Sequence, residues 1–97
     1  MTIAEFQQHI LNRFGDRDKE RGVWPTFGWF MEEVGELATA LQNNAAGKSP
    51  TPAERANLEE EFADVIAWLT TIANINGIDL EHALKKYTED RIQGEKH

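Results

Sequence analysis

The sequence predicts an all-α domain, and three observations carry that prediction. Apolar residues recur at three- and four-residue spacing along four segments. No segment alternates with period two for long enough to suggest a sheet. Glycine, proline and capping residues fall between the segments. The expected architecture is a four-helix domain spanning 1–97, with antiparallel neighbours joined by short loops and with helix faces through which copies of the chain associate.

Each helix has its own signals. Ile3, Phe6, Ile10, Leu11 and Phe14 give a first helix from about Thr2 to Phe14, with Gly15 placed to end it. The charged, Gly/Pro-punctuated run from Asp16 to Pro25 reads as a solvated loop. A second helix starts near Thr26 as N-cap and runs to about Asn44, with Phe27, Phe30, Val34, Leu37 and Leu41 as its seam and Gly47-Lys48-Ser49-Pro50 as its breaker. Thr51-Pro52-Ala53-Glu54 opens the third helix. Threonine caps, proline fits the first helical position and glutamate completes a capping box. That helix runs to about Asn76 on a seam of Leu58, Phe62, Val65, Leu69 and Ile72, and Gly77 stops it. Asp79 caps a fourth helix through about Arg91, with Leu80, Ala83, Leu84 and Tyr87 inward, and Gly94 to His97 as a frayed end.

Composition narrows the function classes. A chain of 97 residues buries only a modest fraction of its surface, so association with further copies is expected to add core. There is no cysteine, which removes disulfides and thiolate metal sites. The net charge of -7 disfavours duplex nucleic acid, whose phosphates need a basic surface. No apolar run approaches the roughly 20 residues that span a bilayer, and residues 1–20 lack a signal-peptide layout, so a cytoplasmic protein with no membrane association is expected.

The chemistry concentrates in two acidic stretches. Glu32-Glu33-Val34-Gly35-Glu36 and Glu60-Glu61-Phe62-Ala63-Asp64 match position by position in character. Each carries a carboxylate pair at i, i+3, which shares one helix face. Counting about 100° per residue from the seam puts Glu33 and Glu61 near -60° and Glu36 and Asp64 near -120°, whereas Glu32 and Glu60 fall near -160°, almost opposite the core. Antiparallel packing of the two helices would bring both pairs to the same side of their interface. Four converging carboxylates suit a hard divalent cation such as Mg2+. A lone pair of this kind is usually just a solvated face; two in matching register, both beside the core, are harder to explain that way. Other routes are missing. His9, His82 and His97 have no shared ligand spacing, the Glu-x-x-His of di-iron bundles does not occur, and there is no phosphate-binding glycine loop.

The doubled acidic motif resembles that of the MazG-type all-α nucleoside triphosphate pyrophosphohydrolases. The likeness extends over Arg17-Asp18, residues 33–38, residues 63–69 and residues 77–81. It implies hydrolysis of a nucleoside triphosphate to monophosphate and pyrophosphate, in clearance of the nucleotide pool, with Mg2+ (or Mn2+) on Glu33, Glu36, Glu61 and Asp64. Glu33, or Glu32 beside it, would accept the proton of the attacking water. Lys86 or Arg91 would meet the triphosphate or serve as surface solubilisers, and Arg17 would reach a phosphate from a neighbouring chain. Trp29 and Trp68, on the carboxylate stripes, would stack on the base or pack at a subunit interface, two roles that coincide if the site lies between subunits of a homodimer or homotetramer. Trp24 would line the site or cover the entry to the second helix. Two other activities fit the same residues: phosphoribosyl-ATP pyrophosphohydrolase, and a non-catalytic helical oligomerisation or regulatory module.

Overall fold

A computed structural model describes residues 1–89 as four α-helices, with no strand among them. The helices are α1 (Ile3–Arg21), α2 (Val23–Asn43), α3 (Pro52–Ile75) and α4 (Leu80–Leu84), and α4 runs into a 3-10 turn, Lys85–Tyr87. The most extensive packing is α2 against α3, with α1 laid against α3. The all-α, four-helix expectation holds, the Thr51 capping box is present, and Thr2 forms a second one not expected from the sequence. Thr2 and Thr51 each accept from the backbone N–H three residues on, and Glu5 and Glu54 each accept in return from the cap's own N–H.

The first loop is not a loop. Gly15 stays helical and buried, and α1 continues for another six residues to Arg21. A glycine inside a helix costs only about 1 kcal/mol. Here the extra turns bring Asp18 into the interior, where Arg21 pairs with it at 2.6 Å. The break falls on Gly22, whose φ of 84° suits glycine. Its N–H closes α1 on the Asp18 carbonyl. α2 therefore begins at Val23, three residues earlier than expected. Pro25 sits in its first turn, where a missing N–H does no harm. Thr26 is not a cap. It is fully buried, donates its hydroxyl to the Gly22 carbonyl at 2.7 Å and accepts from Arg21 Nε at 2.8 Å.

The α2–α3 connection is tied by Asn44, whose side-chain amide donates to the carbonyls of Ala40 and Glu54. α3 ends at Gly77, with φ 66°. The Ile78 N–H meets the Ala73 carbonyl and the Gly77 N–H meets the Asn74 carbonyl, which is a Schellman closure. Gln7 of α1 then clips this turn. Its amide donates to Asn74 Oδ1 and to the Ile78 carbonyl, and its oxygen accepts from the Leu80 N–H. Asp79 caps α4 as expected, by accepting from the His82 N–H. The regular α-helix ends at Leu84 rather than near Arg91, because bonding tightens to i−3 at Lys85. Arg91 and the His97 end of the chain lie outside the described residues.

The apolar seams behave differently from the expectation. Ile10, Ala40, Leu58 and Ala73 are the buried apolar residues, while Phe27, Leu41, Phe62 and Leu69 remain nearly half exposed. The helical wheel marks an apolar stripe without saying which molecule covers it. The radius of gyration, 15.7 Å, exceeds the roughly 12 Å of a compact chain this long.

Candidate active site

The antiparallel pairing of α2 and α3 brings the two acidic stretches together. Glu33 faces α3 one turn beyond Trp29, and Asp64 faces α2 one turn before Trp68. Glu33, Glu61 and Asp64 each contribute a carboxylate oxygen to a group lying within 4.8 Å of one another. Glu61 is buried, Glu33 half-buried and Asp64 exposed. Glu36 acts by charge on both Glu33 and Glu61. Three of the four carboxylates singled out from their positions on the wheel therefore meet, and Glu36 stands outside their group. Glu32 and Glu60 are exposed and outside the group.

The electrostatics of this cluster are unbalanced. Burial raises the Glu33 carboxyl above its ordinary 4.5, and the charges of Glu36, Asp64 and Glu61 add to the shift. Burial likewise raises Glu61, with Glu36 and Asp64 next in effect. Glu33 Oε2 and Glu61 Oε2 are closed to water and have no hydrogen-bond donor. Buried carboxylate oxygens need a donor or a cation, and like charges this close repel unless neutralised. An all-oxygen donor set with buried, unpartnered oxygens fits a hard divalent cation, and Glu33, Glu61 and Asp64 are the residues that could hold it.

One turn away lies a cavity of about 420 Å3, walled by residues of α1, α2 and α3, within the size range of small-molecule sites. Trp29 and Trp68 meet there edge to face, with ring centroids 5.4 Å apart. The Arg21 guanidinium lies over both rings, 4.9 Å from Trp29 and 5.3 Å from Trp68. Arg17 is on the same wall. Lys86 is exposed on the 3-10 turn, 5.4 Å from the Tyr87 ring, and does not line the cavity. Trp24 is 78% exposed and packs edge-on to Phe27. Asp18, noted in the sequence only within the family likeness, and Arg21 belong to the cavity, a placement missed by reading Gly15 as a stop. Their i, i+3 spacing was the available signal.

Three carboxylates that could hold a divalent cation thus lie beside a cavity walled by two tryptophans and two arginines. The sequence model of the MazG nucleotide pyrophosphohydrolase domain matches residues 26–97. The chain belongs to the MazG family. It is also 31% identical over 97 residues to the uncharacterized protein YvdC of Bacillus subtilis (strain 168), covering 92% of each chain. This MazG chain is thus a member of a hydrolase family whose matched segment includes both acidic stretches. α1, with Arg17, Asp18 and Arg21, precedes that segment. No helix among the described residues is long and apolar enough to cross a membrane.

The raised carboxyls give a pH signature. Both folded-state pKa values lie above the ordinary 4.5. The stability they contribute is therefore full below about 4.5 and is lost as pH rises through the raised values. Metal-free wild type should lose thermal stability relative to Glu61→Gln as pH climbs from about 4.5 to neutrality, and excess Mg2+ should close the gap. Parallel melting curves for the two proteins, with and without the ion, would contradict this.

Proposed function

We propose that this MazG chain, as a single domain over residues 1–97, hydrolyses nucleoside triphosphates to monophosphate and pyrophosphate. Mg2+, or Mn2+ in its place, would be held by Glu33, Glu36, Glu61 and Asp64. The observation that supports this reading best is the meeting of three carboxylates from two helices with two buried oxygens left without donors. A bound ion there would offset the charge of the triphosphate oxygens and make water easier to deprotonate, so that a chain of net charge -7 could accept an anionic substrate.

The chain's own residues divide the remaining work. Water attacking the α-phosphorus forms one P–O bond as the bond to pyrophosphate breaks, and it must shed a proton. Glu33, in the carboxylate group, is proposed to accept it, with Glu32 as the adjacent exposed alternative. Trp29 and Trp68 offer ring faces and edges to a base. Arg17, Lys86 and Arg91 are the cations proposed to meet phosphates. The half-exposed apolar side chains on α2 and α3 support a working homodimer or homotetramer. The role that best fits a small hydrolase of this chemistry is clearance of surplus or non-standard nucleotides.

Trp29 and Trp68 lie one turn from the carboxylates, so tryptophan emission reports on the site. Mg2+ titration should give a saturable change in wild type that Asp64→Asn loses or shifts to far higher concentration. A flat response in wild type would favour a non-catalytic helical module and overturn the proposal.

A further inference from the structure

The cavity beside the carboxylates is walled by a further acid with one unpartnered oxygen. Asp18 is 4% exposed and helps to wall the cavity. One of its oxygens receives Arg21 at 2.6 Å. The other, Oδ2, is closed to water and has no donor. Arg21 is held from both sides, by Asp18 and by the buried Thr26 hydroxyl at 2.8 Å. Its guanidinium carbon lies over the two tryptophan rings. A buried carboxylate oxygen left without a donor is costly, so such a group is normally satisfied by something that binds. Rotation about the aspartate Cβ–Cγ bond is soft and can turn either oxygen to the cavity.

We propose that Asp18 selects the base of the nucleotide by accepting a hydrogen bond from an exocyclic amino group, so that the cavity takes amino-bearing bases and rejects their keto counterparts. This inference rests on the nucleotide reading of the neighbouring carboxylate site. Three features of the chemistry lead to it. A carboxylate only accepts, so a keto oxygen placed against it is repelled, whereas an amino group is bound. Arg21 already uses the other oxygen, which leaves room for a single N–H rather than a two-pronged guanidine-like edge. The acceptor is also buried in the cavity wall, and an exocyclic amino group projects beyond the ring to reach it, which a ring N–H does not. Asp18 lies ahead of the segment that matches the family, so this selectivity is carried by α1 and not by the acidic stretches.

The test measures binding of nucleoside monophosphates to the full chain by quenching of tryptophan emission, which needs no turnover. Wild type should bind cytidine monophosphate over uridine monophosphate, and adenosine monophosphate over inosine monophosphate, by about tenfold or more in each pair. Purine riboside monophosphate, with hydrogen in place of the amino group, should fall between adenosine and inosine monophosphate. Asp18→Asn keeps an oxygen for Arg21 and puts an N–H donor where Oδ2 stands, so both ratios should fall toward one or invert. Equal binding of amino and keto members by wild type, no quenching by any of them, or unchanged ratios in a folded Asp18→Asn protein would overturn the inference. If Asp18→Asn does not fold, the wild-type order of the three purine nucleotides decides. Loss of triphosphate hydrolysis alone would count against the proposed reaction and leave these ratios to stand or fall separately.

Discussion

Asp64→Asn should lower Mg2+-dependent pyrophosphate release by about a hundredfold or more, and Glu36→Gln should do the same, while Glu60→Gln leaves it within about twofold of wild type. The size of the effect follows from what each change removes. Asp64 is one of three carboxylates within 4.8 Å of one another, and Glu36 acts on both of the other helix-facing acids. An amide keeps the shape of the side chain and withdraws the negative charge that holds a divalent cation. Glu60 sits next to Glu61 in sequence, is exposed, and lies outside the cluster, which makes it the control for charge alone. A Glu60→Gln protein as impaired as Asp64→Asn would place the effect in the overall field of an acidic helix pair and not in ligation.

The second large effect concerns assembly. Ile66 is 52% exposed and Met31 48% exposed, on the two helices that carry the site. Few monomeric proteins leave so many large apolar side chains in water. Sedimentation at micromolar concentration should show wild type as a dimer or tetramer and Ile66→Asp shifted to monomer. Charging a half-exposed position costs an isolated chain little, yet burying an unpaired charge between copies costs several kcal/mol. A wild-type monomer under these conditions would refute association. An Ile66→Asp protein that still assembles would move the contact to another face.

Most of the site was legible because helical geometry is regular. Matching i, i+3 pairs on two helices fix which carboxylates flank the seam, and only antiparallel pairing was needed to bring Glu33 and Glu61 together. The Thr51 capping box and the stop at Gly77 were legible for a similar reason, since each is a local hydrogen-bond pattern written in a few residues. Asp16 to Pro25 was misread because its signals are local and its structure is not. A glycine, a run of charges and a proline favour a loop, but the Asp18–Arg21 pair and the Thr26 hydroxyl tie that stretch together locally, and the Arg21 contact with Trp68 of α3 anchors it across the fold. The exposed seam residues were misassigned for another reason. Periodicity identifies the apolar face of Phe62 and Leu69 without identifying whose surface it meets.

The central claim is that water attacks the α-phosphorus at the Glu33, Glu36, Glu61 and Asp64 cluster. It is tested most directly by turning over a panel of nucleoside triphosphates with Mg2+ in oxygen-18 water and weighing both products. The label should appear in the nucleoside monophosphate, with unlabelled pyrophosphate released one for one. Label in pyrophosphate, release of orthophosphate and nucleoside diphosphate, or no metal-dependent turnover of any nucleotide would contradict it.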